Sequence, residues 1–386
     1  MLNGAYNALS HVPDEEIPTI LETLFDTAGH AIAPADIREH VATCIEDGRD
    51  HYYLALSRAL GASPSPVVLD GSNATSLAKS IEQYISPDGL TFTGATDIGV
   101  HYPKSNEDRV SLRPDQGFAA VVDGLGGEDG SGPFADALAL ALGMHPGDIP
   151  AAIRTLQTLP KQNGISSGSA CFAATRVRYV DGHFVMDAWR VGDCRIAVID
   201  GRDGVPYYES RDQTRAQVIY DAERMRIAND ANSPQADNDD LRRQLQLARD
   251  TFLNGKARNI VTDAIDANTQ NAPNLLVHDK RLRPGSLVLL LSDGITDNVL
   301  LEEVLERMRR GSIPLSAETL LAMIDELTTA RMRDYTRIQN NERKTGEPFC
   351  DGFAQKPKPD NRAFVCIEVP QEPVRAPAVS DENAAY

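Results

Sequence analysis

An aspartate closes the apolar run F-A-A-V-V at Asp123, and another, Asp293, follows the run L-V-L-L-L and Ser292. A third, Asp360, stands just ahead of the run A-F-V-C-I-E-V. Short apolar runs bounded by Asp-Gly read as strands whose tips carry a carboxylate, so these acids are expected to converge on one sheet edge. A lone Asp-Gly is more often a turn or a helix cap, but the joint placement of several reverses that expectation. Clustered carboxylates repel one another, and burying them costs on the order of several kcal/mol unless a cation neutralises them. Oxygen donors without His or Cys suit hard divalent ions, Mg2+ or Mn2+, rather than Zn2+.

Other patterns point to chemistry less well. Gly164-Ile165-Ser166-Ser167-Gly168 fits the G-x-S-x-G form of a nucleophile elbow. That elbow needs a strand before the serine and a helix after it, and the order here is reversed. The glycine-rich loop 124–132 lacks the G-K-[ST] ending of a nucleotide loop, and Asp123 at its start would repel a phosphate unless a metal intervenes. None of the eight histidines forms H-E-x-x-H.

The elements that must hold these residues divide the chain. Residues 1–90 read as helical, in segments 14–25, 34–45 and 72–85 that begin with acidic, Pro or Ser/Asn start signals. From Leu90 short strands follow at 118–122, 170–180, 183–191, 195–199, 287–291 and 363–369, interrupted by helical stretches at about 131–143, 148–157, 237–253, 299–310 and 316–334. Asp181-Gly182 between two strands is a hairpin signal, so antiparallel pairing is expected. Strands grouped in hairpins, with helix pairs between the groups, predict an α+β sandwich. Residues 212–255 are polar, expected flexible first and helical from about 237. Residues 335–360 read as a basic-leaning loop, and 371–386 as a disordered tail.

The 386 residues carry a formal net charge of −18 with 41% hydrophobic and 24% charged residues. Core-forming material is ample, and the negative balance argues against nucleic-acid or anionic membrane surfaces as partners. The five cysteines form no C-x-x-C pair and are expected to be reduced. The first ten residues show no basic region followed by an apolar run, and no stretch approaches the roughly 18 apolar residues of a membrane span. A cytoplasmic location is the expectation.

Five segments occur in order: Ser105-Asn106-Glu107-Asp108-Arg109, Asp123-Gly124-Leu125-Gly126-Gly127, Gly192-Asp193-Cys194-Arg195, Ser292-Asp293-Gly294-Ile295-Thr296-Asp297, and Asp360-Asn361. In this order, each at the mouth of a predicted strand, they resemble the metal-dependent protein phosphatases of the PPM type, also called protein phosphatase 2C-like. The resemblance covers roughly residues 93–369, with echoes at Gly168-Ser169-Ala170 and Asp212-Gln213-Thr214. It implies a four-layer α-β-β-α sandwich of two mainly antiparallel sheets flanked by helix pairs. The domain plan is then an N-terminal helical extension over 1–90, a phosphatase domain over 91–370 and the tail.

The resemblance also assigns roles. Asp123 would bridge two Mg2+ or Mn2+ ions, with the Gly124 carbonyl as a further ligand, and Asp293 and Asp360 would complete one ion's shell. Glu107 and Asp108 would hold the second ion, and Asp193 with Asp293 a weaker third. The implied reaction is direct hydrolysis of a phosphomonoester by a metal-bridging water, with no phosphoenzyme, the substrate being phosphoserine or phosphothreonine in a protein. Many members carry an arginine four residues before the Glu of the N-E-D segment. Pro103 stands there in this chain, leaving Lys104 or Arg109 as candidate phosphate-binding residues, and Arg109 reads equally as a structural ion pair. Leu125 follows the strand-tip Asp-Gly where some members have a histidine, so protonation of the leaving group is left to a metal-bound water, with His101 the nearest histidine in sequence. The alternatives are a catalytically weak regulatory protein that binds a phosphoprotein, and hydrolysis of a small phosphorylated metabolite. The N-terminal helices are a possible docking element for a protein partner.

Overall fold

The structure is a computed structural model that describes residues 66–71, 74, 76–99, 105–125, 130–157, 167–231, 260–266, 268–269, 275–345 and 358–371. The chain divides into two compact units, Met1–Pro66 and Val67–Tyr386. The expected helices at 14–25, 34–45 and 237–253, the tail from 372 onward, Lys104, His101, Cys44 and Cys350 lie outside the described residues.

In chain order the second unit holds β1 (Val67–Leu69), β2 (Glu82–Ile85), β3 (Thr91–Asp97), β4 (Arg109–Arg113), β5 (Phe118–Gly124), α1 (Ser131–Met144), α2 (Ile149–Leu156), β6 (Ser169–Val180), β7 (His183–Val191), β8 (Arg195–Ile199) and β9 (Pro206–Glu209). Then come α3 (Arg215–Ala231), β10 (Ile265–Asp266), β11 (Leu275–Arg281), β12 (Leu287–Leu291), the helical turn α4 (Asp293–Thr296), α5 (Leu301–Arg310), α6 (Ala317–Thr345) and β13 (Arg362–Glu368). Among the described residues they form two sheets, one ordered β1-β4-β5-β6-β7-β11 with β10 beside β6, the other ordered β2-β3-β13-β12-β8-β9. Every strand pair is antiparallel.

The layers follow from what each strand face buries. On β5 and β6, Phe118, Ala120, Val122, Phe172 and Ala174 face α1 and α2 in one apolar cluster with Phe134, Leu138, Leu142 and Ile153. On β8, β12 and β13, Ile199, Leu289, Leu291, Phe364 and Cys366 cluster with Leu305, Leu320, Leu321 and Ile324 of α5 and α6. The intervening residues Val121, Ala173, Ile196, Val288, Leu290 and Val365 are equally buried, between the sheets. Central strands buried on both faces need no polar alternation, which is why they read as continuous apolar runs. The result is the α+β, four-layer α-β-β-α sandwich expected from the sequence.

Local signals explain the elements. In α5, Leu301, Val304, Leu305 and Met308 are buried at helical spacing, with Glu302 and Glu303 in the first turn and Arg307, Arg309 and Arg310 in the last, matching the helix dipole. Asp148 caps α2 by accepting from the Ala151 N–H at 3.0 Å. At the β6–β7 turn Asp181 and Gly182 both have positive φ, 49° and 83°, the geometry of a two-residue hairpin.

Three expectations need correction. The segment 72–85 is not a helix: beyond a single 3-10 turn at Leu77–Lys79 it forms β2, because Tyr84 and Ile85 fit a pleated edge and pair with Phe92 and Thr91. Strands β1 and β2 therefore belong to the sandwich, and the compact unit begins before residue 90. The stretch before 237 contains α3, started by the Thr214 hydroxyl accepting from the Gln217 N–H at 3.2 Å; its mixed charge hid a run of good helix formers. In the expected loop 335–360, α6 continues to Thr345.

One buried ion pair ties β3 and β13 to α6. Arg362, 3% exposed, donates to both carboxylate oxygens of Asp97, which is fully buried, and to the Thr328 hydroxyl, with Asp325 at 3.1 Å. Removing one member of such a pair leaves an uncompensated buried charge. Arg362→Met is expected to lower the unfolding free energy by about 3–5 kcal/mol in urea titrations. Adding Asp97→Asn should recover part of that loss, and additive costs would refute the coupling.

Candidate metal centre

Antiparallel register decides where the carboxylates meet. The start of β4 lies beside the end of β5, with Arg109 opposite Val122, so Asp108 and Asp123 share one end of the first sheet. In the second sheet Leu291, at the end of β12, faces Phe364 near the start of β13 and Arg195 at the start of β8. Asp293 just after β12, Asp360 just before β13 and Asp193 just before β8 thus share one end of that sheet. Across the sheets, single carboxylate oxygens of Asp123, Asp193 and Asp293 all lie within 4.8 Å of one another.

Backbone contacts hold these tips. The Ser292 hydroxyl accepts from the Ala363 N–H at 2.8 Å, extending the β12–β13 ladder beyond its last pair. Asn361 donates from Nδ2 to the Ile98 carbonyl at 2.9 Å, and its Oδ1 accepts from the Glu107 N–H at 2.8 Å. That side chain fastens the Asp360 loop to the Glu107–Asp108 segment. The Gly192-Asp193 turn is held by Gln213, whose Oε1 accepts from the Gly192 N–H at 2.7 Å. Arg195 fixes the next stretch by pairing with Asp212 at 2.6 Å and Glu209 at 3.2 Å. Gly294 is required by close approach: a Cβ there would lie 1.7 Å from the Asn361 carbonyl oxygen.

Burial sets the electrostatics. Asp123 is pushed well above the usual carboxylate range, first by loss of water and then by the charges of Asp108, Asp293, Asp193 and Asp360. Asp108 is raised by burial against an opposing hydrogen bond from Ser292, and Asp193 by burial and then Asp293. Asp360 is pushed up to about 6, again mainly by burial, with Lys358 pulling the other way. Among the described residues, Asp108 Oδ2 and Asp193 Oδ1 in this nest are buried without a hydrogen-bond partner, their residues being only 2% and 5% exposed. Orphaned buried oxygens among like charges are groups arranged for a cation, and their chemistry fits Mg2+ or Mn2+.

The expected residues divide as follows. Asp108, Asp123, Asp193, Asp293 and Asp360 are brought together; Glu107 is buried beside them, and Gly124 ends β5 in register with Ala170. Arg109 is directed elsewhere: its guanidinium pairs with Asp136 of α1 and donates to the Asn106 and Asp108 carbonyls at 2.8 and 2.9 Å. It braces the wall of the site, as in the structural ion-pair reading, and its donors are committed there rather than offered to a phosphate. Sequence reasoning missed Lys358, whose Nζ donates to Asp293 Oδ2 and lies 3.0 Å from Asp360 and 3.4 Å from Asp297. A cation two residues before Asp360, in K-P-D-N, was the available signal.

No protein-family model and no curated protein sequence matches the chain. Among solved structures, it is similar to the Mycobacterium tuberculosis serine/threonine phosphatase PstP/Ppp, 19% identical, covering 73% of this chain and 99% of that one with a TM-score of 0.46. It is also similar to the PPM Ser-Thr phosphatase MsPP from Mycobacterium smegmatis, 17% identical, covering 72% and 97%, TM-score 0.42. The photosystem II phosphatase PBCP is 15% identical, covering 73% and 100%, TM-score 0.46. At these identities and scores the likeness carries no argument about activity.

Two predictions arise from this geometry. Gly294→Ala must displace the Asn361 backbone, so it is expected to cost about 1–3 kcal/mol or more and to weaken Mn2+ binding. Gly132→Ala, where an added Cβ would come no closer than 3.7 Å to the Glu107 side chain, should be tolerated in the same melts. The second concerns pH. Asp108, Asp123, Asp193 and Asp360 titrate higher folded than unfolded, where aspartate lies near about 3.9. The folded chain therefore binds more protons above about pH 4, and the stability this confers is lost as pH rises through the folded values. Metal-stripped protein should melt higher at about pH 5.5 than at about pH 8, and excess Mn2+ should restore the melting temperature at the higher pH. Equal apo melting temperatures, unchanged in Asp123→Asn, would remove the clustered charge from the account.

Proposed function

We infer that this chain is a metal-dependent phosphomonoester hydrolase of the PPM type, acting on phosphoserine or phosphothreonine in a protein substrate. The observation that carries the reading is the meeting of Asp108, Asp123, Asp193, Asp293 and Asp360 at one end of both sheets, with buried oxygens of Asp108 and Asp193 left unpartnered. Asp123, Asp193 and Asp293 each offer one oxygen in a group close enough for a divalent ion, with Asp108, Glu107 and the Gly124 carbonyl nearby, while Asp293 and Asp360 are also in contact with Lys358. The resemblance implies two ions and a weaker third. Bound Mg2+ or Mn2+ would supply Lewis acidity toward phosphoryl oxygens and acidify a coordinated water at neutral pH.

The chain's own groups favour direct hydrolysis over a covalent intermediate. Cys171 and Cys194, the described thiols that feel the cluster's charges, are buried and pushed well above their ordinary range by burial and by the aspartates. Such thiols are poor nucleophiles. The Ser292 hydroxyl is fully buried and engaged by the Ala363 N–H. The carboxylates thus hold and orient cationic groups, and Lys358 adds a positive charge at the same end of the sheets. Among the described residues no helix is long and apolar enough to cross a membrane.

A second reading, a catalytically weak regulatory protein that binds a phosphoprotein, is favoured by one observation: the Lys358 ammonium sits among Asp293, Asp297 and Asp360, two of them expected metal ligands. Hydrolysis of p-nitrophenyl phosphate and of a phosphothreonine peptide by the full chain, with Mn2+, Mg2+ or EDTA, separates the two. Turnover that needs the metal and falls to the EDTA background in Asp123→Asn is the expected result. Peptide binding without turnover under any metal condition would favour the regulatory protein.

A further inference from the structure

Lys358 is held in place from both ends. Its backbone N–H donates to Asn298 Oδ1 and its carbonyl accepts from Asn298 Nδ2, each at 2.8 Å, while the same Nδ2 reaches the Gly294 carbonyl at 2.8 Å. Asn298 follows Asp297 on the turn that carries Asp293, so one amide side chain fixes the lysine backbone against that carboxylate turn. Pro359 follows and limits the backbone freedom of the link to Asp360. The side chain is 18% exposed and its ammonium meets three carboxylates, Asp293 by a hydrogen bond, Asp360 at 3.0 Å and Asp297 at 3.4 Å. The ammonium thus faces three carboxylates at once, bonding one and ion-pairing with the other two.

The other side of the cluster is different. Among the described residues, Asp108 Oδ2 and Asp193 Oδ1 are buried with neither a hydrogen bond nor an ion pair, whereas Asp297 Oδ2 has the Lys358 ammonium 3.4 Å away, and Asp123 lies close to both Asp193 and Asp293. Among the described residues, an ammonium meets the Asp293–Asp297–Asp360 side, and no ion pair reaches Asp108, Asp123 or Asp193. A divalent ion needs carboxylate oxygens at roughly 2.0–2.6 Å and several of them at once. It would have to take Asp293 and Asp360 from the ammonium, against the repulsion of a like charge and against a tethered competitor whose effective concentration is about millimolar.

We propose that Lys358 is a built-in cation of this centre: its ammonium holds the place between Asp293, Asp297 and Asp360, and the divalent ion binds on the Asp108–Asp123–Asp193 side. The inference rests on the metal-dependent reading above and lowers its ion count by one. It also assigns Lys358 as a positioning residue that keeps Asp293 and Asp360 apart from one another's charge when no metal is bound.

The test is calorimetric titration of the full-length protein with Mn2+ alone, comparing wild type with Lys358→Met and Lys358→Arg, each first shown to be folded by circular dichroism. Wild type and Lys358→Arg are expected to take one tight Mn2+, and Lys358→Met one more, with a lower melting temperature in EDTA that Mn2+ restores. Two equally tight ions in wild type, or the same number in Lys358→Met with affinities within about threefold, would overturn the proposal. Wild-type stoichiometry decides the matter even if Lys358→Met does not fold. No Mn2+ bound by any of the three would instead overturn the metal-dependent reading itself, a pattern distinct from equal tight binding in all.

Discussion

Like charges held out of water are the constraint on which the rest of this molecule depends. Asp108, Asp123, Asp193, Asp293 and Asp360 meet where the ends of two sheets come together, and burial raises the proton affinity of Asp108, Asp123, Asp193 and Asp360. Such a cluster is tolerable only with rigid support and with positive charge nearby. The support is visible in the contacts of Ser292, Asn361, Asn298 and Gln213, each of which ties one carboxylate-bearing segment to a neighbouring element. The positive charge comes in part from Lys358.

The scaffold is built to keep those ends from spreading. Strands β5, β12 and β13 are covered on one face by a helix pair and on the other by the opposite sheet, so their apolar side chains anchor them along their whole length. Charged residues outside the centre do the cross-linking. Arg362 binds Asp97 and joins two strands to α6, Arg109 binds Asp136 and joins β4 to α1, and Arg195 binds Asp212 beside the Asp193 turn. Arginine suits these positions because its planar fork satisfies two carboxylate oxygens at once.

An oxygen-only donor set, buried thiols with raised proton affinity and a fully buried serine are what support the proposed hydrolysis assisted by a hard cation. Lys358 modifies that picture. An ammonium cannot polarise a phosphoryl oxygen as a divalent ion does, yet it neutralises charge at fixed geometry. On the proposed metal-dependent reading, the number of ions is thereby linked to one side chain outside the expected ligand set.

Much of this was legible in the residues alone. The acids at strand mouths, the Asp181-Gly182 hairpin and the helical spacing in α5 are local signals, because strand and helix periodicity and turn chemistry act over a few residues. Where local signal was ambiguous, tertiary pairing decided: residues 82–85 became an edge strand through β3, and α3 formed despite a polar sequence that suggested flexibility. The centre shows the same division. Sequence order gave the identity of its carboxylates, since each directly follows or precedes an apolar run or turn. Which cations meet them was settled only by the fold, for Arg109, two residues from Glu107 in sequence, turns to Asp136, whereas Lys358, remote from Asp293 along the chain, reaches it through the Asn298 clamp. Long, flexible charged side chains carry no local rule for their direction; the nearest unpaired opposite charge in the folded chain sets it.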